Sequence, residues 1–402
     1  MKKSIKVKVY FVVFLAVMVV LQVPLALALE FNGIIGDIKE FGGKIYVSTK
    51  SSDSATNGDV FQVTLENNQP KIVSSLRAKG FSQWDSFSQM AFLGQFGYAL
   101  TEYNGSCGVV FNTNLEYQGG LDFQLGIYGK SITSGRGKIF IGYGVSPNFY
   151  IKMYNPLASG ELTTKMVIYP EDSPEKLFFQ DGKSYLFSVM GEKGIGIWEL
   201  QDDYLWKMSV RKNFFSKDEY ITYTKSVDVI AEGQYVFALA SDRFGWNGVL
   251  AIIDLPAYNY DQNWFQFAKQ VGALDISGGP LFLKKSGNRI CVGTTEGVLL
   301  VDTSNPTSPR LVRKINCVYQ DAEFFEGNLF LAKGKHLEFI FWNDPLPGDV
   351  SGDGKIDIGD AILALQVASG QSVVVKKENS LTGQVGLPDA INALQKVAGG
   401  LK

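Results

Sequence analysis

The densest chemistry in the chain lies near its end, in the twelve residues Asp349-Val-Ser-Gly-Asp-Gly-Lys-Ile-Asp-Ile-Gly-Asp360. A hard cation such as calcium takes about six to eight oxygen ligands, and a short loop with oxygens at alternate positions can supply them. Asp349, Ser351 and Asp353 offer side-chain oxygens at positions 1, 3 and 5. Gly354 allows the sharp turn at position 6, and Lys355 gives its backbone carbonyl at position 7. Asp357 acts through a water at position 9, and Asp360 closes the loop with both carboxylate oxygens. Ile356, at position 8 between Lys355 and Asp357, is expected to face the core. The pattern predicts one calcium site; the competing reading is an Asx-rich turn with no metal.

Such a loop needs a helix behind its last ligand. The run from Asp360 to Gly370 reads as one, and a near copy recurs 29 residues later from Asp389 to Gly399. Ile362 and Leu365, with their copies Ile391 and Leu394, fall at helical spacing and predict an apolar face. Two EF-hand-type loop–helix repeats in about 55 residues resemble a type I dockerin over residues 348–402 and no further. The resemblance implies a small α-helical calcium-binding domain that docks onto a cohesin-like protein module and joins a secreted protein to an extracellular assembly. The second loop departs from the pattern. Glu378, Ser380, Thr382, Gly383 and Gly386 stand at positions 1, 3, 5, 6 and 9, so it lacks the acids at 5 and 9 and should hold calcium weakly or not at all. In cellulosomal dockerins, loop positions 10 and 11 are often Ser-Thr and help to contact the cohesin. Here they are Ile358-Gly359 and Leu387-Pro388, which leaves a non-cellulosomal cohesin or an intramolecular contact with the rest of the chain open. A domain this small is expected to fold in step with its metal.

A second set of residues mixes aromatics with carboxylates: Trp84 and Asp85, Glu102 and Tyr103, Asp242, Arg243, Phe244 and Trp246, and Glu296. They are candidates for binding a protein or polysaccharide ligand, because rings stack on sugars and a carboxylate pair can, in principle, hydrolyse a glycosidic bond. The chain has no G-x-S-x-G, H-E-x-x-H or P-loop sequence, and its one histidine, His336, excludes His-rich zinc sites and most His-based triads. No catalytic residue is assigned. Asp37, Asp228 and Asp321 fall near the starts of apolar strands and read as ties between neighbouring units.

The elements that carry these residues repeat. From about residue 31 to 343 an apolar strand, a glycine turn, a stronger apolar strand, a loop and a third strand recur seven times. The turn and second strand read Gly42-Gly43-Lys44-Ile45-Tyr46-Val47 in the first copy and Gly233-Gln234-Tyr235-Val236-Phe237-Ala238 in the fifth. Seven copies in roughly 310 residues give a period of about 45, the range of a four-stranded propeller blade. The fold class is therefore mainly β, a seven-bladed β-propeller, with six or eight blades or a pair of sandwiches as alternatives. The seventh copy lacks a fourth strand, and Phe31–Ile35 is expected to supply it and close the ring. Gly297-Val298-Leu299-Leu300-Val301-Asp302-Thr303-Ser304-Asn305-Pro306 resembles the LVIVD-type repeat of bacterial extracellular propellers.

Residues 1–28 read as a signal peptide. Four lysines precede an apolar run, Pro24 breaks it, and Ala26-Leu27-Ala28 offers a cleavage site; an uncleaved membrane anchor is the alternative. Removing those lysines leaves 34 basic against 40 acidic residues and no basic run, which argues against nucleic acid as a partner. Three cysteines, Cys107, Cys291 and Cys317, leave at least one thiol without an intrachain partner; Cys291 and Cys317 either pair or sit as small buried residues. The expected order is leader (1–28), propeller (30–343), linker (344–348) and dockerin-like domain (349–402). The expected function is a secreted or cell-surface binding scaffold, with an extracellular polysaccharide-degrading hydrolase or lyase as the alternative.

Overall fold

The computed structural model describes residues 27–50, 58–66, 69–77, 86–101, 108–121, 129–145, 148–211, 214–215, 222–255, 269–340, 342, 350–351, 358–373, 375, 380 and 384–399. Seven antiparallel four-stranded sheets account for nearly all of the strands, with one further two-stranded pairing of Phe214–Phe215 with Thr222–Tyr223. Each sheet is a blade. The innermost strands, in blade order, are Ile34–Phe41, Phe87–Leu93, Gly129–Gly135, Lys176–Gln180, Lys225–Glu232, Pro280–Ser286 and Asp321–Phe325. The seven-bladed expectation holds, and the glycine turns fall where the first strand of each blade meets the second. Gly42 and Gly43 both take positive φ, 61° and 73°, as a two-residue hairpin turn with right-handed strand twist requires.

The blades pack face to face. Tyr46, Phe87 and Phe111 belong to one buried cluster between blades 1 and 2, and Phe237, Leu250 and Leu299 to another between blades 5 and 6. This is why the second and third strands of every copy are apolar on both faces.

Closure differs from expectation. The fourth strand of blade 7 is Leu27–Glu30, paired with His336–Ile340 in the register Leu27↔Phe339 to Glu30↔His336. Phe31 and Ile35, expected to be that strand, instead lock it in place. Their N–H groups donate to the carbonyls of Lys335 and Gly334, both at 2.8 Å, and their side chains fill the cluster between blades 7 and 1. The closing strand thus overlaps the Ala26-Leu27-Ala28 sequence.

Cys291 is buried in the cluster shared by blades 6 and 7, and Cys317 lies half-buried against it. Both are free thiols, so the disulfide alternative is not realised. Among the described residues no helix is long and apolar enough to cross a membrane.

Two helices follow the propeller, α1 (Ile358–Ala368) and α2 (Leu387–Gly399). Their contact is made by small residues, Ala361, Ala364, Ala390 and Ala393, with Val350 beside them. The apolar face expected from Ile362, Leu365, Ile391 and Leu394 is on the outside of the pair, each side chain being 45–51% exposed.

Phe31 gives a test of closure. Phe31→Ala is expected to lower the unfolding free energy by about 3–5 kcal/mol in urea denaturation, the usual loss for a buried phenylalanine; a loss below 1 kcal/mol would mean that the ring is not held there.

Candidate functional site

Two sites emerge from the fold, one in the central channel and one on the face formed by the loops between second and third strands. In the channel, most innermost strands start with a bulge, as between Ile35 and Asp37, Phe87 and Met90, and Ser226 and Asp228. The bulge turns the next side chain toward the axis. Asp321 of blade 7 accepts the Ile38 N–H of blade 1 at 3.0 Å, and Asp37 of blade 1 accepts the Met90 N–H of blade 2 at 2.7 Å. Gln89 accepts the Ile132 N–H of blade 3 at 3.3 Å, and Asp228 of blade 5 accepts the Leu283 N–H of blade 6 at 2.9 Å. The three aspartates read as inter-blade ties have that role. Gln89 joins them; its residue type hid it, but its place two residues before Ala91 in the same strand position was there to find.

Lysines complete the ring. Lys176 Nζ donates to Asp228 Oδ2 at 2.6 Å, and Lys284 Nζ lies 3.1 Å from Asp321 and 3.6 Å from Glu323. These groups line a cavity of about 590 Å³ around the axis. Burial alone would strip the charge from Lys284, but Asp321, Glu323 and Asp37 outweigh it and hold the ammonium far above its usual range. Burial likewise opposes ionisation of Asp321, and Lys284, Lys39 and Lys176 overcome it, so this carboxyl lies below its usual range. Asp37 and Glu323 are raised, chiefly by burial. These charges serve each other and the backbone.

The second site sits on blade 5. Its second and third strands, Tyr235–Ser241 and Asn247–Asp254, are joined by the loop Asp242-Arg243-Phe244-Gly245-Trp246. Asp242 builds this loop. Its carboxylate accepts the N–H groups of Phe244 and Trp246, both at 3.0 Å, and of Asn247 at 3.1 Å. Burial opposes its ionisation, but those bonds win and keep its carboxyl below the usual range. With the turn fixed, Phe244 and Trp246 stand out at 71% and 72% exposure, ring centroids 5.4 Å apart.

Glu296 belongs to the same place through two glycines. A Cβ at Gly279 would lie 2.1 Å from the Gly245 carbonyl oxygen, and one at Gly278 would lie 2.9 Å from Glu296 Cγ. Gly279 and Thr295 also exchange hydrogen bonds at 2.8 and 2.9 Å. A cavity of about 530 Å³ opens beside the loop, lined by Tyr223, Asp242, Asn247, Asp275, Ile276 and Ser277. Glu296 is held below its usual range by Lys314, 3.1 Å away, and then by Ser277. Tyr223, Asp275 and Ser277 were missed by sequence reasoning, because only the fold brings the two strands Thr222–Tyr223 and Lys269–Ser277 to this loop.

No family model matches the chain, and no curated protein sequence matches it. Solved structures do. The WD40 repeats of RRP9 superpose with a TM-score of 0.56 at 10% identity, over 79% of this chain and 97% of that one. U3-55K gives 0.54 at 8% identity, over 79% and 99%. A chain of the mitotic checkpoint complex gives 0.54 at 11%, over 78% and 90%. The likeness is one of fold. At these identities it carries the seven-bladed ring and nothing of the surface, so the LVIVD-type and dockerin resemblances rest on their quoted residues.

The remaining expected site residues divide simply. Asp242, Arg243 and Trp246 of blade 5 and Glu296 of blade 6 come together where the two blades meet. Trp84, Asp85, Glu102 and Tyr103 lie outside the described residues, as does Cys107. So do Asp349, Asp353, Lys355 and Asp357 of the calcium loop. Of that loop, Ser351 and Asp360 are described: the Ser351 N–H donates to Asp360 Oδ1 at 2.8 Å, and Asp360 is fully buried at the start of α1. Its copy Asp389, equally buried, accepts from Ser380 Oγ at 3.1 Å and from the N–H of Gly386 at 3.0 Å, capping α2. Among the described residues no group of three or more His, Cys, Asp or Glu side chains could hold a metal.

Two outcomes follow. Lys284→Met strands Asp321 and Glu323 as buried anions and should cost about 3–5 kcal/mol near neutral pH. Asp321, depressed in the native protein, stabilises above the ordinary carboxylate range and loses this contribution as pH falls through its lowered value. The variant's deficit, measured by urea unfolding, should therefore shrink when the pH is lowered to about 4, where both carboxyls can protonate; a deficit that grows in acid would refute the assignment. For the blade 5 loop, Asp242→Ala should speed hydrogen exchange at Phe244, Trp246 and Asn247 about tenfold or more while leaving global unfolding within about 1 kcal/mol.

Proposed function

We propose that this chain is a secreted or cell-surface, non-catalytic binding scaffold. The propeller presents a ligand surface for protein or polysaccharide, and the C-terminal helix pair docks the protein to a partner. The observation that carries the first half is the exposed Phe244–Trp246 pair on a turn fixed by Asp242. Large rings held rigidly in solvent lose little entropy on binding, which is how recognition surfaces gain affinity. The WD40 neighbours are consistent with a binding propeller.

The docking half rests on the helices. Ile358, Ile362 and Leu365 on α1 and Leu387, Ile391 and Leu394 on α2 are all 45–59% exposed, and the two sets repeat at the 29-residue interval. Six apolar side chains left outside a core of alanines suit a partner surface. They support a type I dockerin-like module that takes a cohesin-type partner. The loop from Asp349 to Asp360 fits calcium by its donor order, with Asp360 as the closing ligand buried at the helix start. Bound there, calcium would order the loop onto α1. The sequence likeness to LVIVD-type propellers and the leader both agree with an extracellular setting.

Hydrolysis is less well supported. A glycosidase needs one carboxyl kept protonated beside an ionised one. Where blades 5 and 6 meet the opposite holds: Asp242 and Glu296 both lie below the usual range, the first tied to backbone N–H groups and the second to Lys314.

Calcium titration of the full chain by calorimetry tests the docking half. One site per chain is expected, lost in Asp360→Ala, together with calcium-dependent binding to at least one of a panel of type I cohesin modules that Ile362→Glu with Ile391→Glu abolishes. No calcium binding and no cohesin binding would remove that half. Release of reducing sugar from a polysaccharide, abolished by Glu296→Gln, would replace the scaffold by the enzyme.

A further inference from the structure

The blade 5 site has features that narrow its ligand. A protein partner would call for an apolar, dry centre around the aromatic anchors. Here the two rings stand among polar groups: Asp242, Arg243, Asn247, Asp275, Ser277 and Glu296 all border the loop or its cavity. The rings offer an apolar face, and the cavity offers hydrogen-bonding groups within a volume of about 530 Å³, within the usual size for small-ligand pockets.

The groups differ in their freedom. Asp242 is used up by the backbone of its own loop. Glu296 is paired with Lys314. Asp275, on the outermost strand Lys269–Ser277, is exposed at the cavity, and Asn247 presents an amide there. Tyr223 is buried at the cavity wall, and burial, with Asp275 and Asp242 adding to it, keeps its hydroxyl protonated and able to donate. Asp275 can accept from two hydroxyls; Asn247 donates one amide N–H to Asp242 at 3.2 Å and Ser277 bonds to Glu296, so Asn247 offers its second N–H and its carbonyl and Ser277 its oxygen as acceptor. A ring face beside a mixed donor–acceptor wall suits a ligand with an apolar C–H face and hydroxyls around its rim.

Charge narrows it further. Asp242, Asp275 and Glu296 face Arg243 and Lys314, so the site has one more negative than positive group. A polyanion would be repelled by the one carboxylate left unneutralised.

From this we infer that the blade 5 site binds a neutral saccharide chain, with a sugar ring stacked on Trp246 and Phe244 and its hydroxyls held by Asp275, Asn247, Ser277 and Tyr223. The inference rests on the reading of this loop as the propeller's ligand surface and names the class of ligand.

The test is a fluorescence and calorimetric titration of the full chain with four neutral pentasaccharides, those of cellulose, xylan, mannan and chitin, and with a pentagalacturonate as the anionic comparator. At least one neutral chain is expected to bind and to change the tryptophan emission. Trp246→Ala should weaken it at least tenfold, and Asp275→Asn about three- to tenfold, while pentagalacturonate does not bind. Circular dichroism and urea unfolding of both variants should match the parent, since the substituted side chains are exposed. The inference is overturned if no neutral chain binds at concentrations up to about 10 mM, or if binding survives Trp246→Ala together with Phe244→Ala. Should no saccharide bind while a purified protein partner is held in a Trp246-dependent way, the saccharide is excluded and the ligand surface stands.

Discussion

A backbone N–H that faces the axis of a ring of sheets has no strand beside it to take its hydrogen. In this chain the residue after the inner bulge has that problem in blades 1, 2, 3 and 6, and the preceding blade solves it with a side chain; in blade 5 the Val229 N–H donates to Asp228 beside it. Asp321, Asp37, Gln89 and Asp228 each accept such an N–H from the next blade. A carboxylate sunk in the channel is costly by itself, so lysines follow: Lys284 for Asp321 and Lys176 for Asp228. The charged channel is therefore a consequence of ring geometry, and the same acceptors set the angle at which one blade meets the next.

That angle is what brings blade 5 and blade 6 together at the Asp242 loop. Gly278 and Gly279 connect the two blades, and they have room for nothing larger because the Gly245 carbonyl and Glu296 lie against them. The Asp242 turn then needs only three backbone hydrogen bonds to hold two aromatic rings out in water. The hub thus fixes the blades, the glycines fix the loops, and Asp242 fixes the rings, each stage leaving less freedom to the next.

Much of this was legible in the sequence. The glycine turns and the strands apolar on both faces recur at an even spacing, and they mark all seven blades. Asp37, Asp228 and Asp321 stood out because an acid at the start of an apolar strand needs a reason. Gln89 did not, because the hub position demands an acceptor and not a particular residue type. The closing strand was hidden by a different cause: Leu27, Ala28 and Leu29 continue the apolar composition of the residues before them, so no change of composition marks where the strand begins. The apolar stripe of the helices was legible as one face, but not the direction in which it points. Ile362, Leu365, Ile391 and Leu394 form the more hydrophobic stripe, yet close approach of two short helices is won by the smaller side chains, and the bulky ones are left outside. Of the ligand site, the Asp242 loop was visible as a cluster of types, whereas Asp275 and Tyr223 could be placed only by knowing which strand ends meet.

The way the chain leaves the propeller has a mechanical meaning. Its last strand, His336–Ile340, is the third of blade 7 and is flanked on one side by Asn328–Lys333 and on the other by Leu27–Glu30. A tension applied from the C-terminal side along this strand would load both ladders in shear, so that the cross-strand bonds must fail together instead of peeling one at a time. A free outer strand in the same position would unzip under far less force. The N-terminal strand that completes the ring therefore also acts as a splint for the strand that would bear the load if the protein were tethered by its end.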